Sequence, residues 1–149
     1  MSTVIHRRVE ACRAGRDPTA VCRVTSGWVV LGEAQFVRGY ALLLPDPVVA
    51  NLNALEGAQR AAFLRDMAVV GDALLALTDA VRINYEILGN VDPALHAHVI
   101  PRYAHEPEEL RTRPVWFYDW AAAPRFDAGR EGPLLAAFRG ELERRGSAA

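Results

Sequence analysis

The sequence has no apolar run that approaches the roughly 20 residues needed to cross a bilayer. Its N-terminus, MSTVIHRRVEACRAGRDPTA, is too charged and interrupted to read as a secretory signal. A cytoplasmic protein without a membrane partner is the expectation. Net charge is also scarce: a formal value of −1 gives no whole-molecule attraction for nucleic acid, so a polyanion of that kind is not expected as the main partner. The arginine-rich spots HRRV and ELERRG are short, lie near opposite ends of the chain and read as solvated helix faces. Cysteine is limited to Cys12 and Cys22, whose spacing fits no compact zinc pattern, so both read as small packing residues. No repeat or low-complexity tract is present.

What is there fits one domain spanning 1–149, with 51% hydrophobic and 23% charged residues. Residues 4–14 read as a short helix closed by GRDPT. Three β-rich runs follow at 20–25, 27–31 and 39–44, separated by glycine-containing turns and ended by Pro45 and Pro47. Their continuous apolarity predicts burial on both faces. In the segment 57–79, Phe63, Met67, Val70, Leu74 and Leu77 recur at helical steps, with Arg60, Arg65, Asp66 and Asp72 mostly elsewhere, so a long helix is predicted with Asn51 or Asn53 as N-cap. VRINYEIL then reads as a strand, GNVDP as a turn, and ALHAHVIPRY as the returning strand. The proline- and aromatic-rich stretch 104–129 matches neither period and reads as a long ordered excursion. A final helix is expected to begin just after Gly132, with Pro133 in its first turn and Leu134, Leu135, Phe138 and Leu142 on its apolar face.

The returning strand carries two of the chain's four histidines. On a strand His96 and His98 share one face, while Leu95, Ala97 and Val99 take the other. Asn84, Asn90 and Arg102 lie close by in sequence. A neutral imidazole is a nucleophile at neutral pH, a second can donate a proton, and amides or a guanidinium suit anionic oxygens. A metal site is the alternative. It needs a third ligand, for which Glu86 on the partner strand is the nearest candidate, while His105, His6 or a cysteine would have to fold back. The aromatics Trp116, Phe117, Tyr118 and Trp120 read as a packing plug or subunit contact in preference to a base-stacking platform.

LGNVDPALHAHVIPRY resembles the signature segment of the histidine triad family, in which three histidines alternate with other residues and an apolar pair follows. Here His96, His98, Val99 and Ile100 match, and PR continues as it often does in the family's dinucleotide hydrolase branch. GWVVLGEAQFVRGYALLLPDPVV is similar to the family's paired strands, and the long helix falls where the family has one. The likeness covers about 25–103, leaving 104–149 as a C-terminal extension. Two positions depart from the pattern: Ala94 stands where the first histidine of the triad belongs, and Tyr40 follows Gly39 where the family often has a histidine.

The resemblance implies an α+β fold with an antiparallel sheet of about five strands, one long helix and a C-terminal helix. It also implies a homodimer and no metal or other cofactor. The implied activity is nucleotide hydrolysis or nucleotidyl transfer at the α-phosphorus of a nucleoside phosphoramidate or dinucleoside polyphosphate. His96 carries over as nucleophile and His98 as the group that positions phosphate and assists the leaving group, with Asn84, Asn90 and Arg102 as candidate substrate contacts. The alternatives are a nucleotide-binding protein with weak or no catalysis, and a small metalloenzyme using His96, His98 and Glu86. On an extended strand the Ala94 methyl is expected to leave room where an imidazole would stand.

Overall fold

A computed structural model describes residues 2–149. Four helices, α1 (Val4–Arg13), α2 (Gly57–Leu77), α3 (Glu108–Arg111) and α4 (Ala128–Arg144), accompany five strands, β1 (Ala20–Val24), β2 (Gly27–Leu31), β3 (Ala41–Pro45), β4 (Arg82–Glu86) and β5 (Ala97–Arg102). The strands form one antiparallel sheet in the order β1-β2-β3-β5-β4. No described helix is long and apolar enough to cross a membrane.

The sheet register divides the side chains between two layers. Val29, Leu43 and Ala97 lie in register across β2, β3 and β5, as do Leu31, Ala41 and Val99. Both rows face α2 and α4, where they bury against Phe63, Val70, Leu74, Phe138 and Leu142. The opposite row runs Val30, Leu42, His98, Glu86 across β2 to β4, apolar at one end and polar at the other. Ile5, Val9 and Cys12 of α1 cover the apolar end, and the polar end carries the histidines. The buried runs of β2 and β3 are continuous in sequence because both of their faces are covered.

The periodicity of α2 gives Phe63, Val70 and Leu74 as its buried stripe. Asp66, which the pattern puts on the polar side, is buried instead and accepts bonds from the Ser26 N–H (2.9 Å) and hydroxyl (2.7 Å), tying the helix to the β1–β2 turn. Gly71 permits close packing against β4, since a Cβ there would stand 1.9 Å from the Tyr85 hydroxyl. Asn51 caps a short 3-10 turn at Leu52–Ala54, and neither Asn51 nor Asn53 caps α2, which starts at Glu56 without a side-chain cap.

The last helix starts earlier than its sequence suggests. Asp127 caps it by accepting from the Arg130 N–H, and the Glu131 carboxylate accepts from the Asp127 N–H at 2.6 Å. These two bonds start the helix at Ala128, so Gly129 and Gly132, expected ahead of it, and Pro133, expected in its first turn, lie inside it. Phe138 of α4 is fully buried against α2 and the sheet. Phe138→Ala should therefore cost about 3–5 kcal/mol, read as a lowered urea midpoint at an unchanged denaturant slope. A loss under about 1 kcal/mol would show that α4 is peripheral to the core.

Candidate functional site

The segment before β5 sets the position of the first site histidine. Leu95 N–H donates to the Val49 carbonyl (2.8 Å), and the Ile5 N–H donates to the Asp92 carboxylate (3.3 Å), so residues 92–95 are pinned between the end of β3 and the start of α1. β5 begins only at Ala97, so residues 94–96 are not extended strand. Ala94 is 1% exposed and packs in the cluster of Ile5 and Val9, so its methyl is covered by α1. Ala94 also lines a cavity of about 180 Å³ beside His96, so space does adjoin it, but not on the straight strand the sequence suggests.

His96 lies just ahead of β5, and its Nδ1 is 2.7 Å from the Ala94 carbonyl oxygen. A carbonyl can only accept, so Nδ1 carries a proton, and the tautomer this selects is the one with its lone pair on Nε2. His98 follows on β5 with its ring 5.0 Å from that of His96, edge to face. Both are nearly buried, at 9% and 8% exposure. His96 also lines a cavity of about 180 Å³ with Asn51, Leu88, Gly89 and Pro93.

His98 is held by Tyr40, whose hydroxyl is 2.7 Å from its Nδ1 across 58 residues of sequence. The loop that delivers Tyr40 is fixed by Gln35. Its amide donates to the carbonyls of Gly32 (2.7 Å) and Tyr40 (3.0 Å), and its oxygen accepts from the Gly39 N–H (3.2 Å). Gly39 takes φ +87°, a conformation that L side chains rarely adopt. Burial pushes the Tyr40 hydroxyl well above its ordinary range, and among the described residues it has no other hydrogen-bond partner. Its proton therefore goes to His98 Nδ1, which leaves Nε2–H of His98 as a donor. Burial, reinforced by the neighbouring His96, lowers His98 from 6.5 to about 4, so this ring is neutral near pH 7.

The C-terminal segment closes over these rings. Trp116 meets His98 edge to face at 5.2 Å and stacks on Trp120 at 5.1 Å, and Trp120 packs against Phe36 and Tyr40. The Trp116 indole N–H donates to Glu86, the cross-strand neighbour of His98. Tyr118 and Trp120 act as the expected plug, whereas Trp116 is 42% exposed and borders the histidines directly.

The other sequence-selected residues take distinct places. Arg102 is 6% exposed and engages all its N–H groups: Nε and Nη2 on Glu106, Nη1 on the Asn84 side-chain oxygen (2.9 Å) and the Arg113 carbonyl (2.7 Å), and Nη2 also on the Leu110 carbonyl (3.0 Å). Asn84 is thus a partner of Arg102, and Asn90 is exposed in the turn, outside the cavity at His96. Burial alone would raise the Glu106 carboxyl, but bonds from Arg102, Tyr118 and the Tyr103 N–H outweigh it and hold the group below its usual range. His6 belongs to the N-terminal cap of α1, and His105 stacks on Tyr103. Among the described residues no three His, Cys, Asp or Glu side chains gather so as to hold a metal ion. Sequence reasoning left Tyr40 out of the site, although its place after Gly39 was the available signal.

The depressed His98 gives a pH signature. Between about pH 6.5 and 4 an unfolded chain takes up a proton that the folded ring refuses, so stability is lost as pH falls through that window. The contribution is on the order of 3 kcal/mol. Urea unfolding at pH 7 and pH 4.5 should show a larger loss for the parent than for His98→Gln, and equal losses would place the ring's folded value near 6.5.

No family model matches the sequence, and no curated protein matches it. Solved structures do. The chain is similar to a histidine triad protein from Bradyrhizobium japonicum, with 25% identity over 87% of this chain and 94% of that one and a TM-score of 0.73. It is similar to a histidine triad protein from Marinobacter aquaeolei VT8, with 20% identity over 97% and 98% and a TM-score of 0.76. A third likeness is to a hypothetical histidine triad nucleotide-binding protein from Sulfolobus tokodaii strain7, with 15% identity over 91% of each chain and a TM-score of 0.71. The five-stranded antiparallel sheet with its helices is the fold of the histidine triad proteins.

Proposed function

We propose that the protein is a nucleotide hydrolase or nucleotidyl transferase that works through a covalent nucleotidyl-histidine on His96. The observation that carries this reading is the bond from His96 Nδ1–H to the Ala94 carbonyl, which fixes the tautomer that leaves the Nε2 lone pair free. The name of the Sulfolobus tokodaii neighbour, which describes it as nucleotide-binding, agrees with such a ligand.

In the first displacement the Nε2 lone pair of His96 forms a bond to the α-phosphorus of a nucleoside phosphoramidate or dinucleoside polyphosphate. The bond from phosphorus to the leaving group breaks, and its electron pair stays on the departing polyphosphate oxygen or, for a phosphoramidate, on the amine nitrogen, which takes a proton from solvent. His98, neutral and anchored by Tyr40, donates Nε2–H to a phosphoryl oxygen, and its fixed orientation stabilises charge developing there without reorganisation. In the second displacement water attacks phosphorus, the N–P bond breaks, a proton passes to solvent, and nucleoside monophosphate leaves. Asn84 acts by orienting Arg102, and Arg102 by orienting the segment that carries Trp116; Asn90 is retained only as a contact in the substrate complex. A homodimer, intracellular location and absence of any cofactor belong to the same reading.

The backbone supplies the orientation of His96, so the histidine missing at position 94 is not needed for it. His96→Ala should abolish the nucleotidyl adduct seen by intact mass spectrometry after a short incubation with substrate, while nucleotide affinity stays within about threefold. An unchanged adduct would remove His96 as nucleophile. Binding without any adduct in the parent would instead favour a nucleotide-binding protein. Ala94→His should change the single-turnover rate by less than about threefold in quenched-flow measurements on folded protein. A rise of about tenfold or more would identify the absent ring as a missing catalytic group.

A further inference from the structure

A second cleft lies on the same sheet face, and the mechanism above leaves it unused. It encloses about 420 Å³ between β4 and the segment after α3, and its lining includes Arg82, Asn84, Glu86, Arg102, Arg111 and Arg113. Glu86, at one end, is the register partner of His98. From Glu86 to Arg82 the cleft follows β4 for about 13 Å at the ordinary rise of a strand. It therefore begins beside the histidines and leads away from them.

Its charge is unbalanced. Arg102 is satisfied internally by Glu106. Arg82, Arg111 and Arg113 have no carboxylate within 4.0 Å among the described residues, and all three are exposed. Arg113 lies over the Phe117 ring at 5.0 Å, and Arg111 makes one long bond to the Ala104 carbonyl at 3.4 Å. Against these three cations the cleft holds only the Glu86 carboxylate, already bonded to Trp116. Arg82 stands directly opposite Arg102 in the β4–β5 ladder, and because Glu106 is taken up by Arg102, Arg82 is left without a carboxylate of its own among the described residues. The basic residues of this chain are all arginine, the side chain whose planar fork meets phosphate oxygens in pairs.

We propose that this cleft holds the leaving group of the nucleotidyl substrate, a chain of two or more phosphates beyond the attacked α-phosphorus. The assignment rests on the nucleotidyl-histidine reading and narrows its substrate class to polyphosphates. As His96 Nε2 bonds to the α-phosphorus, the bridging P–O bond breaks and its electron pair stays on the terminal oxygen of the departing polyphosphate. The free guanidiniums take up that charge, so no proton has to be delivered. This suits a site whose second histidine is neutral. An amine leaving group, which needs a proton, gains nothing from the cleft.

The test uses the full chain and its Arg82→Gln/Arg111→Gln/Arg113→Gln variant, with the three single variants in reserve should the triple one unfold. Inorganic tripolyphosphate is titrated calorimetrically into each. Adduct formation at His96 is then timed with diadenosine tetraphosphate and with adenosine phosphoramidate. The expected results are tripolyphosphate binding that weakens by about tenfold or more in the triple variant, and a similar fall in the rate ratio of tetraphosphate to phosphoramidate. An unchanged ratio overturns the inference, as does a parent protein that does not bind tripolyphosphate. Absence of adduct from both substrates in the parent overturns the leaving-group role through the reading beneath it. Adduct formation at an unchanged ratio overturns the cleft alone, so the two failures are distinguishable.

Discussion

The buried pair of Arg102 and Glu106 organises the face on which the chemistry would occur. A buried ion pair is a weak source of net stability, because desolvation offsets most of its attraction. Its value here is geometric. The guanidinium leaves β5 with its N–H groups directed at Glu106, Asn84 and the carbonyls of Leu110, Arg111 and Arg113, so the chain after β5 must fold back along the sheet to meet them. Once residues 110–113 are fixed, Trp116 falls against His98 and the side chains of Arg111 and Arg113 line the neighbouring cleft. Loss of either charged partner would strand the other in a buried site, at a cost of roughly 3–5 kcal/mol.

That clamp also separates two electrostatic environments. The histidines sit among Tyr40, Trp116 and a backbone carbonyl, where burial keeps His98 neutral and the bond to the Ala94 carbonyl directs Nε2 of His96 away from the backbone. The free arginines sit beyond Glu86, along the edge strand, where water solvates them. A nucleophilic imidazole must be unprotonated, whereas an anionic ligand needs cations. Placing the cations a few residues along the strand serves both requirements.

Much of this was legible in the sequence, for physical reasons that also mark its limits. The 3.6-residue period of Phe63, Val70 and Leu74 announced α2 because that pattern is local, whereas strand alternation holds for His98 alone: His96 comes within 5.0 Å of it from a segment just ahead of β5. The partner of His98 was not local: Tyr40 reaches it across 58 residues, and only the folded loop pinned by Gln35 shows the contact. Arg102 read as a substrate contact because half of its acceptor atoms are backbone carbonyls, which carry no sequence signature, and Asn84 meets it only across the β4–β5 pairing. The start of α4 was hidden behind Gly129, Gly132 and Pro133, whose poor helix propensity is overcome by the Asp127 cap and by the burial of Phe138 and Leu142. Ala94 was placed on an extended strand that in fact begins three residues later.

The two departures from the histidine triad pattern make sense together. An imidazole at position 40 or 94 would be a further group able to titrate near neutrality. A buried phenol, with its hydroxyl pushed up, and a backbone carbonyl do not titrate there at all. With Tyr40 orienting one ring and Ala94 O the other, neither ring depends on a titrating neighbour for its orientation, and His98 itself stays neutral down to about pH 5. What such a site gives up is a ready store of protons. It is best matched to a departing group that is already stable as an anion, and the uncompensated arginines beside it are the groups in this fold placed to receive one.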